Sequence, residues 1–548
     1  MANIVFWILL GVLLFALVFS NTVRSTNRKK ARYKELEESF GKAETDLCDP
    51  ALFDSASSLY EHMRSLSSED FFLDDITISD LGLRDIYARM NRCVSACGDD
   101  FMRYRLKVLP KSGGADKLYG YIETFLNDTH KATEISHVLD DIGHHPHLDG
   151  FGLLGKLSGA SETGIITDVL PVTGLIAAVI LTGIYPLAGI ILVLIMIAVC
   201  IGTYFSERRR MDEHLSGLAY SLRLIRCACK LSDKWDDLAK YSGLEKLRFA
   251  AGILPLKDRT VSDPMSIILD YVRMITHIDV IVYKLKISKI REKSEDIKNL
   301  YVDIGMLDAA VATASYIYGR KHCKASLSDD NSISAEQLYH PLVRKPVYND
   351  FYTQRGVLVT GSNASGKSTF LKSIGLNILL SKSFGFAFAD RFETGAEKLY
   401  TSMALADNLL GEESYYVVEA RSLKRICDSA YGNCVCIIDE VLRGTNTIER
   451  IAASSRILKS LCRKDVLCFA ATHDLELTQL LDADMECYYF TEEIVDDNVS
   501  FPFRIYKGVS DRTNAIRLLS MLGFDKETVD SANELVGHYK QTGSWVNK

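Results

Sequence analysis

Two stretches of the chain carry no charged side chain, and the remainder alternates in ways that predict amphipathic helices and then buried strands. Ile4 to Phe19 (IVFWILLGVLLFALVF) approaches the ~17 apolar residues that a short membrane-spanning helix needs. It reads as a membrane anchor, with a cleavable signal peptide as the weaker alternative because no Lys or Arg precedes the run and no small-x-small site follows it. Arg24, Arg28, Lys29, Lys30 and Arg32 come after the run, which by the positive-inside rule puts the N-terminus outside and the rest in the cytoplasm. Val169 to Phe205 has no Asp, Glu, Lys or Arg and as one straight helix would far exceed a ~30 Å hydrocarbon core. A hairpin of two short passes fits better, broken at Gly183, Ile184, Tyr185 and Pro186, since proline removes a helix donor. Arg208, Arg209 and Arg210 then mark the return to the cytoplasm. The prediction is a multi-pass membrane protein with about three spanning helices; a buried core hairpin is the alternative.

Around these runs, residues 27–164 and 206–335 place Leu, Ile and Ala at three- and four-residue spacings among charges, as in Leu215 to Leu247 and Met265 to Leu300. That periodicity predicts long amphipathic helices. Pro110 to Asp116, His144 to Gly155 and Ser326 to Ser334 read as loops. The expected order is an anchor (1–23), a helical part (24–168), the apolar hairpin (169–205), a second helical part (206–335) and a C-terminal domain (336–548).

Composition adds mostly exclusions. The 548 residues are long enough for about three domains, and a net charge of −7 lends DNA binding no support. Thirteen cysteines include the close pairs Cys93/Cys97, Cys227/Cys229 and Cys434/Cys436, but none has zinc-site CxxC spacing, so reduced thiols in a cytoplasmic protein are expected. His144, His145 and His147 flank Pro146; adjacent histidines on a bent loop seldom converge on one ion, and no function is assigned to them.

The chemistry lies in the last two hundred residues. Gly356 to Thr360 reads as a buried strand, followed by Gly361, Ser362, Asn363, Ala364, Ser365, Gly366, Lys367, Ser368 and Thr369, then by a helical stretch from Phe370 to Leu380. This is GxxxxGK[ST] in the strand–loop–helix context of a P-loop, where backbone N–H groups cradle ATP phosphates. Lys367 reaches the β and γ phosphates and Ser368 ligates Mg²⁺. Val435 to Asp439 is a second apolar strand ending in Asp439 and Glu440, where Asp439 holds the Mg²⁺ shell and Glu440 polarises the attacking water. A third, Val466 to Ala471, delivers Thr472, His473 and Asp474, so that His473 can sense the γ-phosphate or position water. Glu440, His473 and Lys367 are the candidate catalytic residues.

With these residues in place, His340-Pro341 through Asn349-Asp350, GSNASGKST, DEVLRGTNT and ATHD resemble the ATPase domain of the MutS family of mismatch-repair proteins, whose typical versions read GPNMGGKST, DEIGRGTST and ATHY. The resemblance runs over about 200 residues and implies an α/β P-loop (ABC/MutS-like) ATPase domain, here preceded by an all-α lever and core region with transmembrane helices. It further implies a homodimer with composite sites: Asp407 to Glu419 stands where the family's signature loop occurs, so Ser414 would contact the nucleotide of the opposite subunit. Thr445, Asn446 and Thr447 fall in the family's loop after the Asp-Glu pair, which makes Asn446 a candidate nucleotide contact. Tyr506 to Val509 and Asn514 to Val536 resemble the closing helix-turn-helix.

Departures from the pattern shape the functional reading. Ser362, Ala364 and Ser365 replace the usual phosphate-loop residues but leave both glycines and Lys367. Tyr348 stands adjacent to the position of the adenine-stacking aromatic rather than in register, which leaves the base contact open. There is no room for a mismatch-reading domain and no Phe-x-Glu motif near the N-terminus, so direct mismatch recognition is not expected. Two functions remain: a membrane-tethered ATPase acting on DNA in a mismatch-repair-related role, or a membrane remodelling, transport or signalling ATPase without DNA.

Overall fold

The computed structural model describes residues 20, 22–24, 26–42, 47–111, 114–144, 149–157, 164–252, 264–403, 415–443, 445–495, 498–510, 516, 519 and 523–545. The expected anchor Ile4 to Phe19, His145 to His147, and the signature-loop residues Asp407 to Ser414 lie outside them. Described residues up to Ser68, Tyr87–Tyr104 and Gly120–Gly319 form one compact unit; Glu69–Ile86, Arg105–Tyr119 and those from Arg320 onward form another.

The first unit is helical. Helix α1 (Ile166–Thr182) and helix α2 (Pro186–Leu231) pair as a hairpin, with the turn at Gly183 to Tyr185 and Pro186 at the first helical position of α2, where its missing N–H costs nothing. Small residues let the legs approach: a Cβ on Gly189 would lie 2.5 Å from the Thr182 backbone, and one on Gly174 would lie 2.6 Å from the Met196 methyl. The stretch Pro186–Met211 is long and apolar enough to cross a membrane, and only 17% of its most apolar window is buried. Ser294–Ile317 passes the same length and composition test but is 83% buried, as a core helix is.

The helix that begins at Pro186 does not stop at Phe205. Helix α2 runs on without interruption to Leu231, because the residues after the arginines keep helical spacing and bury Leu215, Leu218, Leu222 and Ile225. Leu215 to Leu247 is therefore not one helix; a 3₁₀ run, Asp236–Gly252, follows α2. Met265 to Leu300 divides among Pro264–Thr276, α3 (Ile278–Glu292) and α4 (Ser294–Ile317). The first break is at His277, whose φ of +52° no helix accommodates.

Charged residues tie the roots of the hairpin to α3. His277 Nε2 donates to the carbonyl of Cys200 at 2.8 Å, and Lys284 Nζ donates to Asp168 at 2.5 Å and to Glu207 at 3.0 Å. Tyr204 and Arg208 both donate to Asp279, at 2.8 and 2.9 Å. Asp168, His277 and Asp279 are buried, so each polar group is satisfied by a protein partner rather than by water.

The second unit is an α/β sandwich built on six strands: β1 (Gly356–Thr360), β2 (Lys398–Ser402), β3 (Cys434–Asp439), β4 (Val466–Thr472), β5 (Met485–Phe490) and β6 (Ile505–Lys507). Their order is β2-β3-β4-β1-β5-β6, parallel except for the β5-β6 pair. Near-continuous apolar runs such as Val435 to Ile438 follow from burial on both faces. One face packs on α6 (Tyr415–Ser429) and α7 (Thr447–Cys462) through Leu423, Ile426, Leu458 and Leu461. The other packs on α5 (Lys367–Phe384), where a Cβ on Gly375 would lie 2.9 Å from Ile437.

This unit extends beyond the expected 336–548 because segments distant in sequence complete it. Strands Phe71–Phe72 and Val108–Leu109 pair with each other, and Asp80 accepts hydrogen bonds from Thr401 Oγ1 (2.6 Å) and Met403 N (2.9 Å). The predicted loop at Ser326 to Ser334 instead contributes Ser326–Leu327 and the start of Ile333–Leu338 to a separate four-stranded sheet. The predicted loop at His144 to Gly155 overlaps the helix Gly150–Lys156. Of the expected closing helix-turn-helix, Lys526–Thr542 is helix, and most of residues 511–522 lie outside the description.

Candidate active site

Register aligns the carboxyl ends of three strands. Thr472 of β4 lies beside Thr360 of β1, and Asp439 of β3 lies beside Ala471 of β4. The phosphate-binding loop, Asp439-Glu440 and His473 therefore leave the sheet at one edge, where open α/β sheets place ligands.

The loop from β1 to α5 depends on two left-handed glycines. Gly361 has φ +134° and no space for a side chain, since a Cβ would lie 2.6 Å from the Phe490 carbonyl; Gly366 has φ +105° and caps α5. Ser365 Oγ donates to the carbonyl of Ser362 at 2.7 Å, and Ser362 Oγ donates to Glu492 at 3.0 Å. Ala364 and Thr369 are exposed and Ser368 is half-buried at the first turn of α5; the side chain of Asn363 lies outside the description.

Lys367 is buried and donates to the carbonyls of Gly361 and Ser362, both at 2.8 Å. Burial pushes its amine down to about 8, against the attraction of Glu440 and Asp439. The ammonium thus occupies the concave side of its own loop, held by carbonyls that a phosphate can outbid with full negative charge.

Asp439 is buried, and its Oδ1 has no hydrogen-bond partner among the described residues. A buried carboxylate oxygen without a donor is costly, and oxygen ligands of this kind suit a hard divalent cation. Glu440 follows in a left-handed conformation, φ +55°. It forms an ion pair with Arg443 and accepts from His473 Nε2 at 2.8 Å. Burial works to raise the Glu440 carboxyl, but the hydrogen bonds from His473 and Arg443 outweigh it and hold the group down at about 2. Beyond it, Arg450 donates twice to Asp474, at 2.9 and 2.6 Å, tying α7 to the segment after β4.

Two of the residues weighed as nucleotide contacts have described surroundings. The Asn446 side chain caps α7, accepting from Ile448 N at 2.9 Å. Tyr348 packs edge-on against Tyr339, ring centres 5.3 Å apart, with the Lys321 ammonium over the Tyr348 ring at 4.6 Å. Ser414 lies outside the described residues.

A cavity of about 280 Å³ adjoins the loop, lined by His340, Val347, Asn349, Thr369, Phe370 and Phe503 among others. Tyr348 does not line it, and Phe503, which sequence reasoning missed, does. A Cβ on Gly366 would lie 3.0 Å from the Phe503 ring, and Phe503 has φ +52°. Asn349 holds this segment, donating to the Phe503 carbonyl at 3.1 Å and accepting from Ile505 N at 2.9 Å. Burial lowers His340 to about 4, with Lys372 adding to the effect, so the cavity wall is uncharged there at neutral pH.

Residues 357–540 match the family model for MutS domain V. The chain is 28% identical over 273 residues to a DNA mismatch repair protein MutS of Halothermothrix orenii, covering 47% of this chain and 30% of that protein. It is 25% identical over 269 residues to a DNA mismatch repair protein MutS of Synechococcus elongatus (46% and 30%) and 27% identical over 271 residues to one of Chlorobium phaeovibrioides (46% and 31%). The matches take in about 30% of the length of these relatives. The C-terminal part of the chain is thus similar to the P-loop domain of MutS proteins, and these matches support kinship with that family.

Proposed function

We propose that this chain binds MgATP and hydrolyses it to ADP and phosphate. One observation carries the reading: Lys367, Asp439, Glu440 and His473 converge at the aligned ends of β1, β3 and β4. The loop N–H groups and the N-terminus of α5 hold the phosphates, and Lys367 exchanges its two carbonyl partners for phosphate oxygens. Ser368 and Asp439 would hold Mg²⁺, which screens charge on the β and γ phosphates when bound. Glu440, ionised and fixed by His473 and Arg443, orients the water that adds to the γ-phosphorus as the bond to the bridging oxygen breaks. The apolar cavity beside Phe503 receives the base. The test is phosphate release by the full-length protein in detergent: Lys367→Ala should lose tight ATP binding, and Glu440→Gln should bind ATP without turnover. Wild-type turnover in both variants would overturn the assignment.

The proposal includes a homodimer in which Ser414 completes the partner's site. A mixture of Lys367→Ala and Ser414→Arg subunits should regain activity that neither homodimer has. Mixed dimers that form without activity would refute the trans arrangement.

The exposed apolar hairpin favours a membrane as the partner of this engine over a DNA duplex. We read the chain as a membrane protein with its ATPase unit in the cytoplasm, in which a MutS-like motor acts without reading mismatches. Salt-dependent DNA binding by the purified protein would restore the DNA reading.

A further inference from the structure

Glu419, on the second turn of α6, directs its carboxylate at the turn that follows Glu440. Its Oε1 accepts from Leu442 N at 2.5 Å and its Oε2 accepts from Arg443 N at 3.0 Å. Glu419 is 7% exposed and Leu442 is 3% exposed, so water does not replace these contacts. The turn they hold is unusual: Glu440 and Leu442 both have positive φ, +55° and +60°, without being glycine. Non-glycine residues in that region persist only when their surroundings enforce it. The two successive N–H groups are each met by a separate oxygen of one carboxylate, which Glu419 supplies from helix α6. Arg443, whose N–H is one of the two, is the residue whose guanidinium pairs with Glu440.

We infer that Glu419 is a positioning residue for ATP hydrolysis: it fixes the Leu442–Arg443 backbone so that Arg443 and His473 orient Glu440, and it couples that orientation to helix α6. The inference rests on the reading of Glu440 as the residue that orients the attacking water. Movement of α6 shifts the carboxylate and with it the turn, so the catalytic group answers to a helix on the opposite side of β3 from the phosphate-binding loop. The phosphate-binding loop shares none of these hydrogen bonds, which separates the role of Glu419 from ATP binding.

The test compares Glu419→Gln, which keeps the shape but presents a donor to one N–H, with Glu419→Asp, which keeps the charge but withdraws it by one methylene. Full-length protein is assayed for steady-state turnover and for equilibrium binding of a fluorescent ATP analogue. The expected result is a fall in kcat of about tenfold or more with the nucleotide Kd within about twofold of wild type. In a double-mutant cycle, Arg443→Ala should cost clearly less kcat in the Glu419→Gln background than in wild type, so that the two losses are not additive. Unchanged kcat, additive losses, or a Kd that worsens in step with kcat would overturn the inference. Should Glu419→Gln not fold, Glu419→Asp is judged by the same three criteria. Glu440→Gln run in parallel separates the two readings: if it turns over normally, the underlying assignment fails, whereas a dead Glu440→Gln beside a fully active Glu419→Gln sinks only this inference.

Discussion

The Glu440 carboxylate accepts a hydrogen bond from His473 Nε2 at 2.8 Å, across the ends of two neighbouring parallel strands. Nε2 is therefore the donor, and the histidine orients the carboxylate.

Replacing His473 by Ala should lower kcat by about ten- to a hundredfold while leaving the ATP Kd nearly unchanged, since the lost contact is to Glu440 and not to the loop. Glu440→Gln should cost more, roughly a hundred- to a thousandfold. Because Glu440 is held at about 2, it stays ionised throughout the assay range, so an acid limb of the rate profile near pH 5 would belong to another group. Rapid-quench measurement of one turnover checks each variant; a His473→Ala protein at wild-type rate would remove the histidine from the site.

Lys367 gives a pH signature with two opposite signs. Its amine in the free folded protein sits at about 8, lowered by burial. Between that value and the ordinary lysine value the unfolded chain binds more protons, so the nucleotide-free fold gains stability as pH rises through this window. ATP binding needs the ammonium, so affinity should weaken above pH 8, approaching about tenfold per pH unit as neutral lysine comes to dominate. Calorimetric titration from pH 7 to 9.5 should show proton uptake on binding, and Lys367→Ala should abolish it. A pH-independent affinity would refute the assignment of this ammonium to the phosphates.

Phe503 tests the base pocket. Truncation to Ala removes an aromatic wall of the cavity, and a base–aromatic contact is worth ~1–3 kcal/mol. ATP affinity should fall by about five- to a hundred-and-fifty-fold, while inorganic tripolyphosphate, which has no base, should bind as before. Equal losses for both ligands would mean that Phe503 only supports Gly366.

What the sequence made legible follows from which forces are local. The P-loop was readable because Gly356 to Thr360 is a continuous apolar run and because Gly361 and Gly366 occupy positive-φ positions that only glycine fills easily. Asp439 and Glu440 were readable because acidic residues seldom end a buried strand without a use. Phe503 was not, since its place depends on Asn349 gripping a segment some 150 residues away in the chain. The recruitment of residues 69–86 was invisible for the same reason: Asp80 meets Thr401 and Met403 only in the folded unit. The charge-bearing roots of the hairpin looked like ordinary amphipathic helix, because pairing of Asp168 with Lys284 leaves no periodic trace.

The hairpin is the feature most exposed to refutation. Leu187, Ile190, Ile191, Leu194 and Ile195 lie on one face of α2 and are 52–77% exposed, and Leu170 and Ile180 of α1 are 68% and 65% exposed. In water each such side chain forgoes about 1.5–3 kcal/mol that burial would supply, whereas a bilayer covers all of them at once. The 26 residues of Pro186–Met211 span about 39 Å at ~1.5 Å per residue, enough for a ~30 Å hydrocarbon core, with Arg208 to Arg210 at the end of the apolar stretch. A variant lacking the first 23 residues has lost the other apolar run, so its behaviour reports on the hairpin alone. It should remain with membranes through alkaline carbonate extraction, and further replacement of Val169 to Phe205 by a short polar linker should release it. Coupling to the motor is a separate matter, read by restoring the first 23 residues and keeping the linker: the ATPase rate should then lose its response to added lipid vesicles. Release of the first variant by carbonate would refute a spanning hairpin, and an unaltered lipid response in the second would leave α1 and α2 as an anchor with no mechanical tie to ATP hydrolysis.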